Sequence, residues 1–449
     1  METLPVTISP SELIEFLSLQ LNNLPDQRKG SNTTYEIKAT YEIKEFVLAA
    51  FSVFFTQCPS FLEHQNLMKK SKGKDNAESL FGLKKIPCDN QIRTLLDTIP
   101  ATKIFPTFQT VWEWLRKNRI INHFKYLDEE ILLALDGTEY YSSKNINCPH
   151  CNCRNHRNGT TTYYHQVITQ VIVAPEKKQV INLEPEFIRK QDGKTKQDCE
   201  NAAIKRWLLR NPAKAKNQKI TLLGDDLYSR QPICELAIEQ GYNFIFVALA
   251  SSHKSLYEWL EFLENSGEVV KGKVRKYQKN KLLYYRYKYV NNVPLRETEP
   301  SKMVNWYEVE IYDKAKKKVI YRNNFITNHQ LNDENMEKII TSGRTRWKVE
   351  NEGNNLLKNQ GYNLEHNFGH GQENLSEILL ALNLLSFLFH NVLELVNELY
   401  QKARKKLEKR ITFFNDIRAL VKYEWFEDWS ELFVYIISEG EQKKFINTS

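Results

Sequence analysis

A short apolar run that stops on an acid constrains this chain more than any other feature. Ile131-Leu132-Leu133-Ala134-Leu135 leads directly into Asp136-Gly137. Five apolar residues are too few for a core helix and suit a strand buried on both faces, with Asp-Gly marking the turn where it ends. The pattern recurs at residues 220–223, which run into Gly224-Asp225-Asp226. Around these two runs, residues 160–175 are rich in β-branched and aromatic side chains, and residues 178–188 form a third strand candidate. Residues 197–210 carry Ala203, Ile204, Trp207 and Leu208 at helical spacing, residues 233–240 read as a second helix, and residues 242–250 as a fifth strand. The order β-β-β-α-β-α-β predicts an α/β fold, a mixed sheet covered by helices.

The flanks have a different texture. Residues 1–125 read as a helical domain, with apolar runs such as Ile43 to Phe51 and a helix expected over residues 110–118. Within it the basic stretch KKSKGK, residues 69–74, reads as a solvated turn, with contact to DNA as the alternative. The core occupies residues 126–265. From 266 to 327 the helical signal disappears, and LLYYRYKYV (282–290) and NWYEVEIY (305–312) predict a β-rich insertion. Helix resumes at Asp333, a predicted N-cap, so residues 328–449 supply the second part of the core and C-terminal helices.

Composition narrows the function classes only modestly. With 63 Lys+Arg against 55 Asp+Glu the chain carries +8, which permits a polyanionic partner without requiring one. Seven cysteines, three of them between Cys148 and Cys153, do not form a disulfide framework, and a reducing cytoplasm is expected. The N-terminal stretch lacks the basic-then-apolar pattern of a secretory signal. The most apolar segment, residues 378–396, includes Asn383, Ser386, His390, Asn391 and Glu394. Those groups are costly in lipid, so a buried core helix is expected and no membrane partner.

Two acids at strand ends are what metal-assisted phosphoryl transfer requires, because Mg²⁺ prefers oxygen ligands and rigid strand ends hold carboxylates at fixed separation. Asp136 and Asp225 are the candidates, with Asp226 a rival at the second position and an ordinary turn aspartate after a strand the alternative for each. A third acid lies in RTRWKVENE, residues 344–352. Arg346 and Glu350 are four apart and share a helical face, whereas Glu352 points elsewhere. Glu350 could therefore complete the metal site with Arg346 holding a phosphate oxygen, the alternative being an exposed ion pair that only supports the helix. A separate cluster, CPHCNCRNHRNGTTTYYH, offers Cys148-x2-Cys151 with His156 and His165 as a tetrahedral Zn²⁺ set, Cys153 and His150 competing, with free thiols and satisfied histidines as the alternative. Four protein ligands leave no open position, so this zinc loop, spanning 143–165, is expected to be structural.

The succession LALDG, ITLLGDDLYS and RWKVE, split by a β-rich insertion and followed by NQGYNLEHNFGHG, resembles the DDE transposases of bacterial insertion sequences. The resemblance spans residues 130–375, and the relevant branch carries a Y-x2-R-x3-E-x6-K signature. It implies an RNase H-like core with Asp136 on its first strand, Asp225 after its fourth and Glu350 on a later helix. It further implies two Mg²⁺ ions, for which Mn²⁺ can substitute, double-stranded DNA as partner, end recognition by the N-terminal helices, and a homodimer in the synaptic complex. The signature's Tyr falls at Gly343 and its Lys at Leu357, with Lys358 one residue later as the candidate phosphate contact. The family's Asp-x-x-Tyr spacing pairs Asp225 with Tyr228. Trp306, in the insertion, is either a base-stacking residue, as in hairpin-forming relatives, or a packed strand residue. His366 and His370 either approach the catalytic face or belong to the cap beyond the Glu350 helix, near Gly361. A nuclease that cuts without joining, and a DNA-binding derivative without catalysis, are the rival readings.

Overall fold

The computed structural model describes residues 6–24, 42–68, 75–189, 199–213, 218–278 and 281–439. The basic stretch 69–74 lies outside them. Helices α1 (Pro10–Gln20), α2 (Ile43–Phe55), α3 (Phe61–Leu67), α4 (Asn76–Phe81), α5 (Asp89–Leu96) and α6 (Phe105–Lys117) fill the N-terminal quarter. A capping box starts the first: the Ser9 hydroxyl accepts from the Glu12 N–H, while the Glu12 carboxylate accepts from Ser9.

The sheet begins with β1 (Ile131–Ser143), β2 (Asn152–Asn155), β3 (Thr161–Val173), β4 (Ile181–Asn182) and β5 (Glu186–Ile188). After α7 (Glu200–Arg210) come β6 (Ile220–Gly224), α8 (Gln231–Glu239) and β7 (Asn243–Val247). Then follow α9 (Lys254–Ser266), β8 (Val270–Gln278), β9 (Lys281–Pro294), β10 (Met303–Asp313) and β11 (Lys318–Thr327). The third predicted strand is thus two short pieces, both on the outer edge of β3. α9 is not among the elements expected above, although Leu256, Tyr257, Leu260 and Leu263 recur on one helical face and pack against the core.

All eleven strands form one sheet in the order β2-β3-β1-β6-β7-β11-β10-β9-β8, with β4 and β5 beside β3. β1 runs antiparallel to β3 and parallel to β6, and β6 is parallel to β7. That explains the unbroken apolar runs at 131–135 and 220–223. Central parallel strands are covered on both faces, and every residue of β6 is buried. The insertion is β-rich as expected, but it is no separate sheet. Its last strand returns antiparallel to β7, pairing Phe325 with Val247 and Thr327 with Ile245.

The chain closes with α10 (Met336–Thr345), a π-helical turn (Val349–Asn354), α11 (Asn355–Asn359), α12 (Leu375–Val396), α13 (Glu398–Lys406), α14 (Arg410–Tyr423) and α15 (Trp429–Ile437). The N-terminal helices share one core with these. Phe51 meets Phe389 edge-on at 5.3 Å, Phe55 meets Trp429 at 5.0 Å, and Asn76 Nδ2 donates to the carbonyls of Val421 and Glu424. α12 is long and apolar enough to cross a membrane, yet nearly all of it is buried inside the protein. Some of its polar atoms are bonded there, Asn383 Nδ2 to the Tyr362 carbonyl and His390 Nδ1 to the Tyr362 hydroxyl, while Ser386 Oγ is buried without a hydrogen bond among the described residues. Asp97, just past α5, accepts from the backbone N–H groups of Gln372, Glu373, Asn374 and Leu375 at 2.9–3.0 Å and so caps α12. Burial works against its charge, but those four donors outweigh it and hold the carboxyl below its usual range.

Candidate functional site

The parallel pairing of β1 with β6 sets two acids side by side. Ala134 stands opposite Leu223 in the last registered pair, and Asp136 and Asp225 each follow two residues later. The β1–β6 pairing stops there, so Asp225 follows the end of β6 at the level of Asp136, which stands mid-strand: β1 continues paired with β3 to Ser143 and does not turn at Asp136-Gly137 as the sequence suggests. Asp225 is anchored by the Leu227 N–H, 2.9 Å from its Oδ1. Asp226 turns away, accepting from the Leu249 N–H at 2.7 Å.

Glu350 arrives on the π-helical turn, a distortion that recurs at functional sites because it re-aims side chains. The same turn ends with Asn354, whose Nδ2 donates to Asp136 Oδ2 at 2.7 Å. Thr169, opposite Asp136 on β3, donates to Asn354 Oδ1 at 3.1 Å and so orients that amide. Asn354 does not stand out in the sequence. Its role depends on a contact across 218 residues that no local pattern announces. Arg346 Nη1 donates to Glu350 Oε1 at 2.6 Å, the expected i,i+4 pair.

A fourth acid, also missed, stands beside them. Glu200 begins α7, and a Cβ on Gly137 would come within 2.5 and 2.6 Å of its two carboxylate oxygens. The bare glycine next to Asp136 is what lets Glu200 approach, and the Tyr228 hydroxyl donates to Glu200 Oε2 at 3.4 Å. Tyr228, paired with Asp225 by sequence spacing, thus serves the neighbouring acid.

These groups feel each other's charge. Burial, then the charge of Glu350, pushes the Asp136 carboxyl up to about 7; Asp225 adds to the rise, while Asn354 and Arg346 oppose it. Burial raises Asp225, and burial followed by the charge of Asp225 raises Glu200. Four acids facing one guanidinium make a site that stabilises added positive charge. Their donor atoms are all oxygen, the set a hard divalent cation takes. The oxygens are not drawn into a tight cage. Among the described residues, the only potential metal ligands whose donor atoms converge, all within 4.8 Å, are two cysteines and two histidines.

That group is Cys148, Cys151, His165 and His370, and it could bind a metal ion such as zinc. Cys148 and Cys151 lie in the link between β1 and β2 and His165 on β3. The fourth member corrects the sequence expectation. His156 sits at the exposed tip of the β2–β3 hairpin, where its Nε2 meets Thr162 Oγ1 at 2.8 Å. The hairpin extends it away from the thiols, and His370, from the segment before α12, takes the place. Cys153 pairs across the hairpin with Tyr163, and neither it nor His150 joins the group. The neighbouring Cys151 thiol, with the imidazoles adding, holds the Cys148 thiol far below its ordinary range.

The other candidates fall elsewhere. Lys358 Nζ pairs with Glu365 at 2.8 Å. Trp306 is 5% exposed, hydrogen-bonded through its backbone between β9 and β11 and edge-on to Tyr257, which is the packed-strand alternative for this residue. Glu352 lies within the field of Lys348, whose ammonium bonds the carbonyls of Ala174 and Lys177. His366 packs edge-on against Phe368. At Gly343 a side chain would strike the Tyr307 hydroxyl, with Ile245 and Phe325 at 3.1 and 3.2 Å. The position is closed to a larger side chain as its neighbours stand. No protein-family model matches this sequence, and no curated protein matches it.

Proposed function

We propose that this chain is a DNA transposase that cuts the ends of an insertion sequence and joins them to target DNA by Mg²⁺-dependent phosphoryl transfer. One observation carries the reading: Asp136 and Asp225 stand level on adjacent parallel strands, with Glu350 on a π-helical turn tied to Asp136 through Asn354. A mixed sheet with its first acid on the first strand and its last on a helix beyond a β-rich insertion fits the RNase H-like core that the DDE resemblance implies.

In this reading Asp136, Asp225 and Glu350 would hold Mg²⁺, which would supply positive charge to the attacking and leaving oxygens of a phosphoryl transfer. The residues do the rest by placement. Asn354 fixes which Asp136 oxygen faces the site, and Thr169 fixes Asn354. Arg346 is poised on Glu350 and can exchange that carboxylate for a phosphate oxygen when DNA arrives. Lys358 can do so only by leaving Glu365. The partner is double-stranded DNA, recognised by the N-terminal helices and held by two copies of the chain, in a bacterial cytoplasm. The Cys/His group holds zinc with every position filled, a structural rather than catalytic site.

The test is incubation of labelled element-end DNA with wild type and with Glu350→Gln in Mg²⁺. Cleaved and joined products with wild type alone support the transposase. Cleavage without joining points to a nuclease on the same carboxylates. DNA binding with no cleavage by either protein sinks the catalytic reading.

A further inference from the structure

The spacing of the Cys/His group carries more than a list of donors. A zinc ion with Zn–S near 2.3 Å and Zn–N near 2.05 Å in a regular tetrahedron sets ligand atoms about 3.8 Å apart for S–S, about 3.5 Å for S–N and about 3.3 Å for N–N. The observed separations are 3.8 Å between Cys148 and Cys151 Sγ and 3.5 Å from Cys148 Sγ to His165 Nε2. Cys151 Sγ lies 3.4 Å from Nε2 of both His165 and His370, and the two Nε2 atoms lie 3.2 Å apart. These five of the tetrahedron's six edges match. A disulfide is no alternative, since its sulfurs stand about 2.05 Å apart.

The donors also face correctly. His370 Nδ1 lies 3.0 Å from the Gly371 carbonyl, which places the ring proton there and leaves the Nε2 lone pair for a metal. His165 stacks on Tyr140 at 5.7 Å, and Tyr141 lies 4.3 Å from the His370 ring. These buried rings shield the histidine side of the group, while Cys148 stays partly exposed.

What the four ligands join is the second observation. Three belong to the β1–β3 hairpin. His165 lies four residues before Thr169 on the same strand, and the single hydroxyl proton of Thr169 faces two acceptors, Asn354 Oδ1 at 3.1 Å and the Asp136 carbonyl at 3.2 Å. His370 comes 205 residues after His165, beyond the whole insertion, on the stretch that leaves the Glu350 turn through α11 and enters α12. The far end of that stretch is already fixed by Asp97.

We propose that Cys148, Cys151, His165 and His370 enclose one Zn²⁺ that clasps the Asp136 hairpin to the chain leaving the Glu350 helix. The clasp rests on the zinc reading given above and is independent of the DNA chemistry. It makes the two halves of the core, separated in sequence by the insertion, one unit.

The experiment uses full-length protein purified without chelators, with metal analysis, zinc competition and amide hydrogen exchange as readouts. Wild type and His156→Ala are expected to hold one zinc per chain, and His370→Ala to bind it at least tenfold more weakly. His370→Cys, which keeps four donors, is expected to retain zinc and serves if His370→Ala fails to fold. Chelation is expected to release amide protection in residues 144–165 and 363–375 together. Zinc binding by His370→Ala at wild-type strength overturns the ligand set. Stoichiometric zinc whose removal leaves 363–375 protected overturns the clasp while sparing the metal. Wild type without zinc overturns the zinc reading itself, and none of these results depends on whether the protein transposes DNA.

Discussion

Replacing Asp136 with asparagine should make the metal-free protein more stable, and more so as pH rises. The Asp136 carboxyl is pushed up to about 7, against an ordinary value of 3.8, by burial and by the charges of Glu350 and Asp225. A carboxyl raised on folding contributes stability that is intact below pH 3.8 and lost as pH climbs through 7. From those two values the wild type should lose about 2.6 kcal/mol between about pH 5 and pH 8 through this one group. With an unfolding entropy of about 2.1 cal/mol/K per residue, that corresponds to about 3 °C in Tm. The asparagine is isosteric, carries no charge and can still accept from Asn354 Nδ2, so Asp136→Asn should remove this part of the decline. Mg²⁺ should raise the wild-type Tm at about pH 8, where the carboxylate is ionised, more than at about pH 5, and should act weakly on the variant. Differential scanning calorimetry of both proteins across this pH range, with and without Mg²⁺, is the assay. Parallel pH profiles for the two proteins, or equal stabilisation by Mg²⁺, would refute the electrostatic account of the site.

Three further outcomes follow from packing. Gly137→Ala puts a methyl against the Glu200 carboxylate and should cost about 1–3 kcal/mol; Glu200→Ala should recover most of it in a double-mutant cycle read by urea denaturation. Asp97→Ala strips four backbone donors of their acceptor and should cost about 1–2 kcal/mol, with amide exchange accelerating at residues 372–375 before the rest of α12. Trp306→Ala should destabilise by about 3–5 kcal/mol in denaturant, as expected of a buried ring; unchanged stability with weakened DNA binding would instead favour the base-stacking role.

The parts legible in the sequence are those in which one element declares itself. The runs at 131–135 and 220–223 are apolar because their strands are covered on both faces, and the same burial fixes Asp136 and Asp225 where the runs stop. Arg346 and Glu350 meet because helical spacing is local. What escapes depends on contacts between distant segments. Glu200 opens an otherwise ordinary helix, and only its approach over Gly137 makes it part of the site. His156 looks like a ligand because it is close in sequence, yet hairpin geometry carries it outward and tertiary packing supplies His370. The helical character of the N-terminal region is legible, but its union with α12–α15 arises from aromatic contacts between opposite ends of the chain, beyond the reach of periodicity.

The return of β11 alongside β7 makes the tyrosine-rich strands a ruler for the chemistry. β11 leads through a short connection into α10, and α10 leads to Arg346 and Glu350. Strand pairing advances in steps of two residues, about 6.8 Å, since a one-residue slip would turn every side chain to the opposite face. Any length change that shifted β11 on β7 by one permitted step would therefore carry the Glu350 arm roughly that far from Asp136, too far for the two to share the ion proposed above. Loops at the distal hairpin tips can vary freely, but the rungs between Phe325 and Thr327 set the distance at which the acids meet.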